Sequence, residues 1–311
     1  MNKDYLFRWD HVSVYYDDFC ALHDITMKAQ PGDFIALMGA NGAGKSTFLN
    51  TLMGHLLPKE GTVDFNEAYI SVDNPMASIG FSSQKVIMDW YLNVWDNVYL
   101  GAALAGMNGK QAKVMTRKAL ERVSLAQKMK SSTSDLSGGQ QQRVQIGRAI
   151  VHEPFLYILD EPTTGLDVEI AERFFAFLQE EHQKGKTIIV SSHDLYLLQK
   201  YCNKLLYIEK KRIQYFGPMK TFLQKYKRDC RYSVTVCAGQ KLPDMEKPHV
   251  HFTFCGKDET ENSFMIGLKE GHTLSDALIE LAPLCEIEEF HQARENGLRE
   301  FFVHREERTK E

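Results

Sequence analysis

Three short runs of continuous apolar residues stand out along the chain, each closed by residues that turn or bind rather than pack. Phe34-Ile35-Ala36-Leu37-Met38 runs into Gly39, Phe155-Leu156-Tyr157-Ile158-Leu159 into Asp160-Glu161, and Thr187-Ile188-Ile189-Val190 into Ser191-Ser192-His193-Asp194. Runs without alternation fit strands buried on both faces of a parallel sheet. An open α/β sheet holds its ligand outside the carboxyl ends of such strands, so the three closing segments form the candidate site. Helical patterns fill the intervals, at 45–56, 92–105, 110–128, 139–152, 168–183 and 194–201. The stretch 85–150 therefore predicts a mostly helical subdomain inserted between sheet elements.

Residues 205–208 and 213–216 predict a hairpin turning at Lys210-Lys211. Past Tyr226 the period changes. Residues 232–236 alternate with period two, as do Val250, Phe252 and Phe254, and a strand is expected at 263–268. Thr273-Leu274-Ser275-Asp276 resembles a capping box opening a helix to about Leu281, and 287–290 reads as another strand. The organisation expected is an α/β domain over 1–228 with the helical subdomain at about 85–150, then a small α+β domain over 229–311.

Composition narrows the class without naming it. The chain has 311 residues, 43% hydrophobic and 25% charged, which suits about two soluble domains. A net charge of −4 does not favour a broad nucleic-acid footprint, so no nucleic-acid partner is expected. The six cysteines are scattered without metal-type spacing and are read as free thiols of a reducing cytoplasm. No signal peptide is visible and no run of about 18 uncharged apolar residues exists, so any membrane pore must come from another chain.

The first closing segment carries specific chemistry. Gly39-Ala40-Asn41-Gly42-Ala43-Gly44-Lys45-Ser46, followed by Thr47, fits the phosphate-loop pattern. Glycines let such a loop curl so that its N–H groups face phosphate oxygens, and the helix starting near Lys45 adds the positive end of its dipole. In this reading Lys45 reaches the β- and γ-phosphates and Ser46 ligates Mg²⁺.

A second motif turns nucleotide binding into a particular machine. Leu136-Ser137-Gly138-Gly139-Gln140 matches the signature of ATP-binding-cassette (ABC) ATPases at each position. Gln84 after Phe81-Ser82-Ser83 resembles the Q-loop glutamine, Asp160-Glu161-Pro162-Thr163 the Walker B end, Gly165-Leu166-Asp167 the D-loop, and His193 the switch histidine. Tyr16 resembles the aromatic residue that stacks on adenine, with Tyr15 the alternative. The resemblance covers about residues 5–225 and implies a P-loop ABC-type ATPase fold, an α/β core with an inserted helical subdomain.

The resemblance also implies the roles. ATP and Mg²⁺ are the expected ligands. Asp160, with Ser46 and Gln84, would hold Mg²⁺; Glu161 would polarise the attacking water; His193 would contact the γ-phosphate; Asp167 would communicate across a dimer. Two cassettes would pack head to tail, with Ser137, Gly138, Gly139 and Gln140 of one covering the γ-phosphate held by the other. Glycines 138 and 139, ahead of a helix over 140–152, would let backbone reach that phosphate. Both half-sites are intact in this one sequence, which favours a homodimer. The partner implied is an integral membrane permease, which would hold the chain on the inner face of the cell membrane.

Other ABC proteins fit less well. Translation-factor types carry two cassettes, and one phosphate loop is found here. DNA-repair types carry coiled-coil or zinc insertions, and no CxxC occurs. Trp90 and Tyr91 follow the Q-loop, where the family forms its groove for the permease. The tail, ending in Gly297-Leu298-Arg299-Glu300-Phe301-Phe302-Val303, resembles exporter cassettes of the drug, lipid and polysaccharide branch, with Arg299 in the usual acidic place. Export is therefore expected, with an importer carrying a regulatory C-terminal domain as the alternative. The His249-x-His251 pair reads as surface rather than metal site, and Lys225, Lys227 and Arg228 as a solvated charge cluster.

Overall fold

The structure, a computed structural model, describes residues 4–225, 231–236, 252–257, 263–268, 273–292 and 298. The His249 and His251 pair, Lys227, Arg228 and most of the 297–303 tail lie outside the described residues. The chain divides into two compact units, residues 1–222 and 223–311.

The first unit opens with an antiparallel hairpin, β1 (Phe7–Tyr16) and β2 (Phe19–Ala29), joined on the far side of β1 by β4 (Glu60–Phe65). Between them in sequence come β3 (Phe34–Met38) and helix α1 (Lys45–Leu52). Then follow β5 (Ile79–Ser82), helices α2 (Val94–Leu104), α3 (Gly109–Arg122) and α4 (Gly138–Ile150), and β6 (Leu156–Asp160). Helix α5 (Val168–Gln183), β7 (Thr187–Ser191), α6 (Leu195–Tyr201), β8 (Lys204–Glu209) and β9 (Arg212–Pro218) complete it, and α7 (Met219–Lys225) spans the division at residue 222.

The main sheet has the order β5-β6-β7-β3-β8-β9, parallel throughout except for the β8–β9 hairpin. Strands β3, β6 and β7 are buried at each of their residues, as continuous apolar runs require when both faces are covered. The β8–β9 turn is made by Lys210 and Lys211 at φ 48° and 67°, the positive pair that a tight hairpin demands. All three apolar runs end on one sheet edge, where β3, β7 and β6 release the phosphate loop, the histidine loop and Asp160-Glu161.

Helix α1 lies between the two sheets. Phe48, Leu49 and Leu52 join Trp9, Val12, Val14, Leu22 and Ile25 of the small sheet and Ile35, Leu37, Ile158 and Ile189 of the large one in one core. Trp9 and Phe48 stack at 4.4 Å between ring centroids. This core holds the start of α1 firmly.

Helices α2, α3 and α4 lie in the chain between β5 and β6, the helical insertion expected from the sequence. The periodic stretch 110–128 is divided: α3 stops at Arg122, Ser124 takes φ 54°, and a short 3₁₀ turn follows at Ala126–Lys128. Among the described residues no helix is long and apolar enough to cross a membrane.

The second unit holds an antiparallel sheet of order β11-β12-β10-β13, made of β10 (Arg231–Val236), β11 (Phe252–Lys257), β12 (Ser263–Leu268) and β13 (Ile287–Gln292). Helix α8 (Leu274–Leu281) starts at the expected capping box, Thr273 with Asp276. Tyr232, Val234 and Val236 alternate inward and pack with Ala277 and Leu281.

Candidate functional site

The phosphate loop leaves β3 at Gly39 and enters α1 at Lys45. Gly44 caps the helix at φ 110°, and a Cβ there would come within 2.6 Å of Leu22 Cδ2, so only glycine fits. Ala43 and Thr47 are buried, while Asn41, Gly42 and Ser46 are exposed. The Lys45 ammonium donates to the carbonyls of Gly39 at 2.8 Å and Ala40 at 3.3 Å, so it lies across the loop. Burial pushes its pKa down, opposed by the nearby Glu161 and Asp160 carboxylates. Tyr16, at the end of β1, is exposed, with its hydroxyl 3.5 Å from Thr47 Oγ1. Tyr15 instead packs its ring under the Lys59 ammonium.

Two buried carboxylates face this loop from the end of β6. Asp160 accepts from the hydroxyl of Ser46 at 3.0 Å and from that of Ser191 at 2.6 Å. Glu161 takes φ 51°, a left-handed backbone uncommon outside glycine. Its N–H donates to Ser191 Oγ at 2.9 Å, and its carboxylate accepts from the His193 N–H at 3.2 Å. The His193 ring nitrogen Nε2 lies 3.5 Å from the other Glu161 oxygen, with the imidazole otherwise 71% exposed. Burial raises the Glu161 pKa, against the attraction of His193 and Lys45, while Asp160 adds to the rise. A carboxyl so placed is nearer the range useful to a general base than an exposed glutamate.

Ser191 is the residue that sequence reasoning passed over. It stood in the segment closing β7, but its role shows only in space: one hydroxyl donates to Asp160 and accepts from the Glu161 backbone. We expect Ser191→Ala to leave that buried N–H unpaired, costing about 1–3 kcal/mol of stability. Turnover should fall about tenfold as Glu161 loses its placement. Thermal unfolding and ATPase rates of the variant check both; an unchanged rate would show that Ser191 is mere packing.

The signature segment forms the start of α4, two residues earlier than the sequence suggested. Ser137 is the N-cap, Gly138 and Gly139 are already helical, and the helix ends at Ile150 rather than at 152. The reason is a capping box: Ser137 Oγ accepts from Gln140 N and Gln140 Oε1 accepts from Ser137 N. The N–H groups of Gly138 and Gly139, in the first turn, have no intrahelical acceptor. The two glycines differ. A Cβ at Gly138 would meet nothing within 4 Å, so that face is open to approach. A Cβ at Gly139 would lie 2.4 Å from the carbonyl oxygen of Gly165, so this glycine admits the D-loop turn of the same chain.

The remaining expected residues lie on loops of the same unit. Gln84 is exposed just past β5, and Asp167 is the exposed N-cap residue of α5. Ser46, Asp160, Glu161 and His193 are joined directly or through Ser191, and Lys45 feels the field of both carboxylates; among the described residues no hydrogen bond or ion pair ties Ser137, Gln84 or Asp167 to that cluster. The adjoining hydroxyl and carboxylate of Ser46 and Asp160 are hard oxygen donors of the kind Mg²⁺ takes.

Comparison with known proteins bears on the family and the fold. The family model for ABC transporters matches residues 22–164. The chain is 35% identical over 216 residues to the manganese transport system ATP-binding protein MntB of Halalkalibacterium halodurans, covering 68% of this chain and 85% of that protein. It is 35% identical over 219 residues to the phosphonates import ATP-binding protein PhnC of Stutzerimonas stutzeri, covering 64% of this chain and 79% of that one. Among solved structures, the dimeric post-hydrolysis state of the ATP-binding cassette MJ0796 bound to ADP and Pi superposes with a TM-score of 0.62 at 26% identity. That match covers 68% of this chain and 98% of the other.

Proposed function

This chain belongs to the ATP-binding subunits of ABC transporters, and on that premise we propose how its residues carry out the reaction and what they drive. It binds ATP and hydrolyses it in a reaction coupled to transport. The domain over 1–228 does this work, and the domain over 229–311 is an appendage to it.

The observation that carries the reading is the pairing of a buried glutamate with a phosphate loop, in one chain with a capped helix start open to an outside acceptor. Residues Gly39 to Thr47 cradle the phosphates, Lys45 turns from the loop carbonyls to the β- and γ-phosphates, and Tyr16 stacks on adenine. Ser46, Asp160 and Gln84 would hold Mg²⁺, which would supply positive charge against the phosphates. Glu161 takes a proton from the attacking water, held in place by Ser191 behind it and His193 beside it. His193, exposed on its outer side, contacts the γ-phosphate.

Those groups leave the γ-phosphate covered from one side. A second copy of the chain supplies the other, through the Gly138 and Gly139 N–H groups and Ser137 at the dipole end of α4. The dimeric state of the MJ0796 cassette supports this homodimer. Asp167, beside the Gly165 turn that touches Gly139, links the two halves. Closure follows ATP binding and opening follows hydrolysis.

A separate membrane permease receives the motion and holds the chain at the inner face of the membrane. Trp90 and Tyr91 are 52% and 100% exposed just after Gln84. Exposed aromatics are common anchors of interfaces, and these are the permease contact. Trp90→Ala should weaken assembly with the permease about tenfold or more while leaving ATP binding by the isolated chain intact. Co-purification with the permease checks this; normal assembly and coupled transport would sink the assignment.

For direction, the tail resembles that of export cassettes, and we take export as the reading. The likeness to a protein named for phosphonate import supports the second reading, an importer with a C-terminal regulatory domain. The reading frames beside this one decide. A six-helix membrane protein without a solute-binding protein supports export, and an adjoining solute-binding protein overturns it.

A further inference from the structure

We propose that Gln145 is a positioning residue that fastens the Gln84 loop to the signature helix. Helix α4 turns an apolar face inward at Val144, Ile146, Ala149 and Ile150, and Gln145 is buried with them at 4% exposure. A carboxamide in that setting is costly unless each of its polar atoms is bonded. Here they are. Nε2 donates to Ser82 Oγ at 3.1 Å and to the Ser83 carbonyl, and Oε1 accepts from the Ile87 N–H.

These bonds hold both ends of one short loop. Ser82 and Ser83 precede Gln84, and Ile87 follows it. The next stretch is held in the same manner by a second buried amide. Asn97 of α2, fully buried, accepts from the Asp89 N–H at 3.0 Å and donates to the carbonyls of Asp89, Leu92 and Asn93. The exposed Trp90 and Tyr91 lie between those anchors. A displacement of α4, which begins at Ser137, is thereby delivered to Gln84 without slack and onward to the aromatic pair. Six of the seven anchors are backbone groups, so they fix the course of the chain rather than one side chain.

The inference rests on Gln84 acting at the nucleotide, and its test separates the two ideas. Gln145→Met keeps the volume and removes all three bonds. ATPase kinetics of Gln145→Met, Gln84→Ala and the double variant should be measured, together with amide hydrogen exchange over residues 82–93. Gln145→Met should lower kcat about tenfold with KM for ATP within about twofold, the pattern of lost positioning rather than lost binding. The double variant should be no slower than Gln84→Ala, and exchange at Ile87 should quicken at least tenfold in Gln145→Met alone. Additive losses in the double variant, or unchanged exchange at Ile87, overturn the proposal. If Gln84→Ala turns over normally, the role of Gln84 falls; fast Ile87 exchange in Gln145→Met then still upholds the fastening, and slow exchange rejects it.

Discussion

Glu161→Gln should bind ATP and yet lose at least about 10²-fold in turnover, the usual effect of removing a general base. The replacement has nearly the same size, and its amide oxygen can still accept from the His193 N–H that the carboxylate holds at 3.2 Å. The backbone bond to Ser191 is untouched. What disappears is the ability to take a proton. Burial has already raised the pKa of this carboxyl, so the native group is a better proton acceptor than an exposed glutamate. Because ATP would persist, the variant should also accumulate as a closed dimer. Sedimentation with and without ATP checks that, and single-turnover hydrolysis checks the chemistry. Near-normal hydrolysis would remove Glu161 from its role; a strict monomer would count against the homodimer.

Lys45→Ala should fail at the earlier step, raising the ATP dissociation constant by roughly 10–100-fold. A hydrogen bond from a charged donor contributes about 1.5–3 kcal/mol, which converts to that range. In the structure the ammonium spans the carbonyls of Gly39 and Ala40, so the variant also loses a brace across the loop. The fold itself should survive, since α1 is held by Phe48, Leu49 and Leu52 rather than by Lys45. Fluorescent-nucleotide titration gives the affinity and thermal unfolding confirms the fold. A dissociation constant within twofold of the native one would show that the lysine only organises the loop.

The parallel core was legible because both faces of β3, β6 and β7 are covered, which leaves unbroken apolar runs with chemistry at their ends. The small antiparallel sheet of β1, β2 and β4 was missed. In β1 the alternation slips where the register shifts between Trp9 and Val12 and His11 turns to φ 51°, so inward and outward positions exchange midway. Arg8, Asp10 and His11 add charge that reads as loop. In β2 the same happens around His23 and Asp24, the latter at φ 52°. A period-two search cannot follow a strand that changes phase.

The site divides in the same manner. Residues proposed to meet ligand stand in motifs, and Lys45, Ser46, Asp160, Glu161 and His193 lie near one another in space. Residues that hold those residues stand in none. Ser191 was seen only as part of a polar strand end, and Gln145 is a polar residue on the buried side of a helix, a signal that registers once that side is known. Gly139 shows a motif residue with a second duty: its missing side chain admits the backbone at Gly165.

The left-handed backbone of Glu161 sets stability and activity against each other at one position. A residue with a full side chain in that conformation costs on the order of 1–2 kcal/mol, which glycine would recover and asparagine would lessen. On the proposed role of Glu161 as general base, the replacements that most relax the end of β6 are ones that would abolish turnover. With that role, selection for a sturdier fold alone would drift toward an inactive chain here.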